Sequence, residues 1–373
     1  MSKAIDPEIK EQRAVEKIKV ENEHLKSINK KLLRADKFNV IDDLREILSK
    51  SPKPFEVTLN NTNTVASAKQ DHSEIAALIW SDFHISECIS DVETNKANKF
   101  NSVIASNRIS SLIESTKQVL RFHSTAYNIE KIWIAVLGDM VSGSHIEDLE
   151  LTNDLDDGSA AILAARLLHL ALLDLKQLGI PIELDCTVGN HGRLNSKLSS
   201  KRVGYTTWDY VVFEMLAFYF KDDPQVTVRV HTGHIVPVKQ FGHKFILTHG
   251  TNIKASKLES IEDTMMATFD SKTYREFTGE TGTSYDIILC GHMHRSIIRD
   301  KIIVNSSLGG QSELGMMLKL HPLINASQTA FGISRKHPRT WLYNLDVGSV
   351  RSEKAENAYS KYAKEFLKKH GRN

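Results

Sequence analysis

Five short apolar segments of this chain each end in a small cluster of polar residues of the types that bind metal ions. The clusters are Asp82-Phe83-His84, Gly138-Asp139, Gly189-Asn190-His191-Gly192, Thr248-His249-Gly250 and Gly291-His292-Met293-His294. Each apolar segment has the length and composition of a buried β-strand. Loops at the ends of strands converge on one side of an α/β sheet, which holds them rigidly. The pattern predicts a layered α/β fold with a polar site at its strand ends.

The sequence from residue 75 onward alternates between strand-like and helical patterns. Strands are predicted at 75–81, 131–137, 182–188, 226–230, 244–248, 285–290, 301–305 and 341–347, and helices at 95–123, 159–178 and 205–220. Alternation of strands and helices, followed mostly by strands, predicts layered sheets covered by helices.

Composition divides the chain into four parts. Residues 1–50 contain no Gly, are rich in Lys, Glu, Leu and Ile, and predict a helix with an imperfect heptad pattern. We expect either a coiled coil that forms a homodimer or docks a partner, or a surface helix packed on its own domain. Residues 51–74 have the composition of a linker, residues 75–347 form the main domain, and residues 348–373 predict a basic C-terminal helix or tail.

Composition also bounds the class of protein. With 48 Lys and Arg against 46 Asp and Glu, the formal charge is +2, as in ordinary globular proteins. The most apolar stretch, 160–175, is interrupted by Arg166 and His169 and is shorter than the ~20 residues that a bilayer requires, so we expect no membrane span. The N-terminus lacks the apolar core of a signal peptide, and three Cys cannot form a disulfide framework. We therefore expect a cytoplasmic protein.

The residue types in the five clusters define the expected ligand chemistry. Gly-His-x-His is the most specific cluster, since chance predicts it only about 0.03 times in this composition. Carboxylate, imidazole and amide donors without thiolate suit divalent manganese, our first expectation, and also iron, zinc or nickel. The candidate ligands are Asp82, His84, Asp139, Asn190, His249, His292 and His294. They are too many for one tetrahedral ion but fit two ions that share a bridging carboxylate.

Charge favours phosphoester hydrolysis at such a site. Two dications outweigh two aspartates and a bridging hydroxide, so a net positive charge remains to hold a phosphate oxygen.

In this order the five clusters resemble the motifs of the calcineurin-like metallophosphoesterases, which are Asp-x-His, Gly-Asp, Gly-Asn-His, a lone His and Gly-His-x-His. The resemblance covers about residues 75–347 and implies a four-layer α/β fold, a two-sheet β-sandwich flanked by helices. The ligand sets it implies are Asp82, His84 and His294 for one ion, Asn190, His249 and His292 for the other, and Asp139 for both. His191 would stay off the metals and protonate the leaving oxygen after attack by metal-bound hydroxide.

One position departs from the family's pattern. An acidic residue usually follows Gly-Asn-His and can orient the His, whereas Gly192 and Arg193 follow here. The departure removes the expected support for the position and the pKa of His191. Arg193 instead offers a bidentate contact to a substrate phosphate.

The charge of the stretch that follows His191 bears on the substrate. Residues 187–208 contain no acidic residue, and the basic side chains Arg193, Lys197, Lys201 and Arg202 precede Tyr205 and Trp208. Basic side chains with aromatic rings behind them suit a strand-binding groove, although the rings could also begin a core helix beside solvated lysines. Gly-Asn-His-Gly-Arg resembles the nuclease branch, typified by the exonuclease subunits of double-strand-break repair complexes.

Two further segments affect this interpretation. His145 follows Gly-Asp closely, as a His does in nuclease relatives, and is a candidate contact to the scissile phosphate; an exposed loop His is the alternative. Residues 147–157 carry six acidic residues and would repel a polyanion if they lined the cleft.

The long segment 251–284 is either a lid over the site or an inert insertion.

Three functions remain open at this point. The first is a DNA exonuclease or endonuclease with nucleic acid as its substrate. The second is a phosphomonoesterase or cyclic-nucleotide phosphodiesterase acting on a small molecule. The third is a scaffold that binds a partner and retains a vestigial metal site, which the intact motifs disfavour.

Overall fold

The computed structural model describes residues 72–195, 201–251, 285–317 and 324–372. The predicted N-terminal helix at 1–50, and with it the proposed homodimer contact, lies outside these ranges. So do most of the predicted linker, nearly all of the candidate lid at 251–284, and Lys197.

The described residues form eleven strands and six α-helices. The strands are β1 (Ser73–Trp80), β2 (Asn128–Val136), β3 (Ile182–Cys186), β4 (Val226–Val230), β5 (Val236–Gln240), β6 (His243–Thr248), β7 (Ile287–Cys290), β8 (Ile297–Ile298), β9 (Ile302–Val304), β10 (Ser327–Ser334) and β11 (Leu342–Asp346). The helices are α1 (Ser102–Ser124), α2 (Glu147–Thr152), α3 (Asp157–Lys176), α4 (Trp208–Tyr219), α5 (Glu313–Met317) and α6 (Ala358–His370).

The strands form two sheets whose central strands are parallel. The six-stranded sheet has the order β11-β10-β1-β2-β3-β4, with β1 to β4 parallel and β10 antiparallel to β1. The five-stranded sheet has the order β5-β6-β7-β9-β8, with β6, β7 and β9 parallel. Within each sheet the carboxyl ends of the parallel strands therefore lie at one edge.

A layer of apolar side chains lies between the two sheets. Alternate residues of β1, namely Ile75, Ala77 and Ile79, belong to it because successive side chains of a strand point to opposite faces. Trp133 of β2 packs on Phe245 of β6, with ring centroids 5.1 Å apart. The predicted α/β class with a two-sheet sandwich is confirmed.

Four helices, α1, α3, α4 and α6, pack against one another, and α1 and α4 also contact strands of the six-stranded sheet. By length and composition α3 could also cross a membrane, but 61% of its most apolar window is buried. Its Arg166 lies over the ring of Tyr219, and His169 stacks on the same ring, both within the protein. The helix therefore serves as the centre of the helical layer, and the absence of a membrane-spanning segment stays a prediction.

Several elements differ from the local predictions, among them the start of α1 and the strands β5, β8 and β10, which were not predicted. Helix α1 begins at Ser102 rather than at residue 95, because Asn95 and Lys96 have positive φ angles and the Asn101 side chain accepts a hydrogen bond from Ile104 N as an N-cap. Strand β10 was not predicted at all. Its sequence, SQTAFGIS, begins with three buried polar residues and lacks an alternating apolar pattern.

The core between the sheets predicts a large loss of stability when an aromatic ring is removed from it. Phe331 of β10 is fully buried there, whereas Phe218 of α4 is 57% exposed. We expect Phe331→Ala to lower the free energy of unfolding by about 3–5 kcal/mol. Phe218→Ala, the matched control, should change it by less than about 1 kcal/mol. Urea denaturation measures both, and equal losses would contradict this account of the core.

Candidate metal centre

The structure brings the five polar clusters together at one edge. Asp82 and His84 follow β1, Asp139 follows β2 and Asn190 follows β3, all at the carboxyl edge of the six-stranded sheet. His249 follows β6, and the Gly-His-x-His cluster follows β7, at the corresponding edge of the other sheet. The site thus takes side chains from the ends of five strands.

All seven predicted ligands lie within this cluster, in two groups that adjoin each other. One group is Asp82, His84 and His294, and the other is Asp139, His249 and His292, and in each the potential ligand atoms lie within 4.8 Å of one another. Asn190 Oδ1 joins the second group at 3.0 Å from His249 Nε2. The carboxylate of Asp139 also forms a group with His84 and His191, which places it between the two sets.

The donor atoms of the first group converge in a way that suits a cation. The Nε2 atoms of His84 and His294 are 3.0 Å apart. They lie 3.9 Å and 3.3 Å, respectively, from Asp82 Oδ1. Imidazole nitrogens and a carboxylate oxygen facing one point, without a thiolate, are the donor set of a divalent transition-metal ion. The residues present therefore fit such an ion.

Backbone conformation is unusual at most of these residues. Asp82, His84, Asp139, His292 and His294, five of the seven predicted ligands, have φ angles between 47° and 70°. This left-handed region costs a non-glycine residue about 1 kcal/mol or more and is concentrated at functional sites. Backbone hydrogen bonds support it, since Asp82 N donates to Gly138 O and His84 N donates to Asp139 O, each at 3.0 Å.

A backbone carbonyl orients the ring of His249. His249 Nδ1 lies 2.7 Å from Leu137 O, so that its Nε2 points toward Asp139 and Asn190. A carbonyl accepts and never donates, so the proton of a neutral ring stays on Nδ1 and Nε2 is free to bind a metal. Burial opposes the charged form of this ring, but the adjacent Asp139 carboxylate outweighs it and raises the pKa of His249 to about 9.

His191 lies beside the ligand groups and is held by two contacts of its own. Its backbone N–H donates to Asp139 Oδ1 at 2.7 Å, and its Nδ1 lies 3.0 Å from Ser142 O. Its ring centroid is 4.5 Å from that of His84. Burial lowers the pKa of His191, and the charge of Asp139 opposes that shift. The ring is therefore oriented without an acidic residue at position 192.

The predicted substrate contacts differ in how near they lie to the site. His145 Nδ1 is 2.9 Å from His191 O, and the two ring centroids are 5.2 Å apart. Arg193 donates from its guanidinium to Asn190 O at 2.8 Å, so its charge lies beside a predicted ligand. Lys201 and Arg202 are exposed, and the Arg202 guanidinium lies over the ring of Tyr205.

Three of the six acidic residues in 147–157 form contacts within the fold. Asp154 accepts from the backbone and side chain of Ser102, Asp157 accepts from Ser144, and Asp156 pairs with Arg372 near the C-terminus. The remaining three acids, Glu147, Asp148 and Glu150, are exposed on α2. Of the three that form contacts, only Asp156 is paired with a cation, so the contacts with Arg372 offset one of the six negative charges.

Sequence reasoning missed Asp209, a fully buried carboxylate in the first turn of α4. It accepts hydrogen bonds from the backbone N–H groups of Asp139, Met140 and Gly189. Burial, and after it the nearby charge of Asp139, raise the pKa of Asp209 to about 6 against the opposing effect of those hydrogen bonds. In the sequence it is an ordinary acidic residue at a helix N-terminus, so no local signal identifies it.

Three glycines leave room for the cluster. A Cβ added at Gly138 would overlap the backbone of Gly189, and a Cβ added at Gly189 would overlap Asp139 Oδ1. At Gly291 an added Cβ would lie 2.8 Å from Asp82 Oδ2. The motif glycines therefore serve close approach of the loops to the carboxylates.

No protein-family model matches the sequence, and no curated protein matches it. Among solved structures, the chain is similar to a conserved uncharacterised protein of Streptococcus pneumoniae described as a predicted phosphoesterase, at 10% identity and a TM-score of 0.27 over 73% of this chain and 98% of that one. It is similar to vacuolar protein sorting 29 of Cryptosporidium parvum at 11% identity and a TM-score of 0.30, over 74% and 93% of the two chains. It is also similar to a 5'-nucleotidase precursor of Thermus thermophilus at 11% identity and a TM-score of 0.29, over 79% and 57%. These likenesses are too remote to carry an argument, so the proposals below rest on the geometry of this chain.

The close approach at Gly189 predicts that a single methyl group there weakens metal binding. In Gly189→Ala the new Cβ displaces the Asp139 carboxylate, and we expect Mn²⁺ affinity to fall by about tenfold or more. Gly233→Ala is the matched control, since the nearest atom to an added Cβ there is 3.5 Å away. Isothermal titration with Mn²⁺ measures both variants, and unchanged affinity in Gly189→Ala would contradict the geometry described.

Proposed function

We propose that this chain is a dinuclear-metal phosphoesterase of the calcineurin-like type that cleaves phosphodiester bonds in nucleic acid. The observation that carries the proposal is the pair of adjoining ligand groups with the Asp139 carboxylate between them. Two divalent ions about 3.5–4 Å apart, sharing one carboxylate, are the arrangement that hydrolyses phosphoesters. Manganese is the ion we propose.

The ligands divide between the two ions as the motif order implies. Asp82, His84 and His294 would hold one ion, and Asn190, His249 and His292 would hold the other, with the Asp139 carboxylate between the two sets. When bound, such ions polarise the phosphoester and lower the pKa of a bound water. The role of the protein is to hold these side chains in position and to protonate the leaving group.

His191 is the proposed general acid. Because Ser142 O accepts from Nδ1, that nitrogen keeps its proton in both the neutral and the charged ring, and Nε2 is the atom whose protonation changes. A charged His191 therefore donates from Nε2 to the leaving oxygen while the Nδ1 hydrogen bond holds the ring in place. His145, whose ring lies beside that of His191, is the proposed contact to the scissile phosphate.

The charge distribution supports nucleic acid as the substrate. Arg193 carries its guanidinium beside Asn190, and the exposed cations Lys201 and Arg202 continue the same stretch of chain. The Arg202 guanidinium lies over the ring of Tyr205, so a cation and an aromatic ring, the two group types that bind backbone phosphates and bases, lie side by side. Asp156, which would oppose a polyanion, is paired with Arg372 within the fold.

A second candidate function is hydrolysis of a small phosphomonoester or cyclic nucleotide. It is favoured by the three exposed acids of α2, which follow His145 directly and would repel a long polyanion.

The general-acid proposal predicts a variant that binds metal normally and turns over slowly. We expect His191→Ala to retain both ions and to lose about 10²–10⁴-fold in kcat, because Nε2 no longer supplies the proton. His243→Ala, which removes a partly buried histidine bonded to Ser334 O, is the control and should keep its activity. Metal content by mass spectrometry and kcat with an unactivated alkyl phosphodiester, whose leaving oxygen must be protonated, are measured together, and loss of metal from His191→Ala would make His191 a ligand instead.

The choice of substrate predicts a pattern of cleavage with Mn²⁺. We expect hydrolysis of labelled single- or double-stranded DNA or of RNA in addition to hydrolysis of p-nitrophenyl esters. The double variant Lys201→Ala/Arg202→Ala should bind nucleic acid more weakly, with a salt dependence reduced by about 0.7–0.9 per lost contact, yet hydrolyse the aryl ester normally. Turnover of aryl esters or cyclic nucleotides without nucleic-acid cleavage would instead favour the second candidate.

The control for this experiment removes two charges from a remote position. Lys117→Ala/Arg121→Ala changes side chains that pair with Glu114 near the end of α1. That end lies just before the amino end of β2, and the nine residues of β2 separate it from Asp139. Nucleic-acid binding should therefore be unchanged in the control.

A further inference from the structure

One buried carboxylate joins two of the loops that carry the proposed ligands. Asp209 Oδ2 accepts from Asp139 N and from Gly189 N, each at 2.8 Å, and its Oδ1 accepts from Met140 N at 2.9 Å. The side chain is fully buried. Hydrogen bonds to an ionised acceptor are about twice as strong as neutral ones, so three of them hold these backbones firmly.

The three amides belong to the two loops that must meet for the site to form. Asp139 and Met140 lie after β2, and Gly189 lies after β3, directly before Asn190. The Asp139 side chain continues the connection, because its Oδ1 accepts from His191 N at 2.7 Å. A single side chain outside the motifs thus fixes the positions of the shared carboxylate, the amide ligand and the backbone of the proposed acid.

After His191 the chain turns back toward the site, and this turn brings Asp209 beside it. Arg193 forms an isolated antiparallel bridge with Thr207, and Leu194 N donates to Thr206 O. Trp208 N then donates to Gly192 O at 2.8 Å, so the first turn of α4 lies directly under the loop. A Cβ at Gly192 would come within 3.3 Å of Asp209 N, which leaves little space for a larger residue there.

We propose that Asp209 is a positioning residue that presets the loops after β2 and β3 for metal binding, before either ion is present. The inference rests on the proposed function, because it takes Asp139 and Asn190 as metal ligands. Asp209 itself touches neither ion nor substrate. Its effect is to remove the conformational cost that two unattached loops would otherwise impose on ion binding.

The test is the isosteric substitution Asp209→Asn, which replaces one acceptor oxygen by a donor facing backbone N–H groups. We expect Mn²⁺ affinity to fall by about 10- to 100-fold, the range typical of residues that orient metal ligands. Asp209→Glu, which keeps both oxygens, should recover part of the affinity. Binding is read by titration calorimetry and by the spin-resonance signal of bound Mn²⁺, independently of turnover.

Asp185→Asn is the matched control for a structural effect. Asp185 is also a buried aspartate, but its carboxylate accepts from Trp133 Nε1 and contacts His231 instead of the ligand loops. Both substitutions should lower thermal stability, and Asp209→Asn should additionally weaken Mn²⁺ binding. A folded Asp209→Asn protein with wild-type affinity would overturn the proposal, as would an equal loss in Asp185→Asn.

A measurement on the metal-free wild-type protein decides the proposal even if Asp209→Asn does not fold. The amides of Asp139, Met140 and Gly189 should exchange with deuterium as slowly as those of the central strands, since the carboxylate holds them without metal. Fast exchange at these amides would overturn the proposal that the loops are held in place before metal binds. Wild-type protein that binds no Mn²⁺ would instead overturn the proposed function, while slow exchange would still show that the loops are held in place without metal.

Discussion

The ligand cluster depends on direct backbone contact between two glycines that end neighbouring strands. Gly138, with a φ of 87°, lies so close to Gly189 that a side chain there would overlap the Gly189 backbone, and a side chain at Gly189 would overlap Asp139. That contact brings the Asp139 carboxylate over the loop after β3, where His191 N donates to it. The two groups of potential metal ligands adjoin each other because the two loops do, and the sheet supplies the rigid spacing behind them.

The arrangement of charge follows from how distant parts of the chain meet. The formal charge of +2 conceals a basic stretch after His191 and an acidic stretch after Asp139. The C-terminal end of the chain reduces the second, because Arg372 pairs with Asp156 and donates to the carbonyl of Glu150. Charge that appears concentrated in the sequence is thus distributed by tertiary contacts, and local composition overstates the repulsion that a polyanionic substrate would meet.

Much of the fold could be predicted because it depends on local patterns. Strands such as β2 and β6 have continuous apolar runs, and the candidate ligands follow these runs directly, so their convergence follows from parallel strand order. Strand β10 has no such pattern. Its buried Gln328 accepts hydrogen bonds from Asn305 and from the backbone of Ser81, so polar contacts take the place of apolar packing there. Asp209 could not be identified because its contacts join residues 70 and 20 positions apart, which leaves no local signature.

The left-handed backbone at five of the candidate ligands has a consequence for how this protein can change. Glycine adopts that conformation without steric cost, so replacing one of these Asp or His residues by glycine would relax the loop while removing a donor atom. Selection for a more stable fold and selection for a working site therefore act in opposite directions at the same positions.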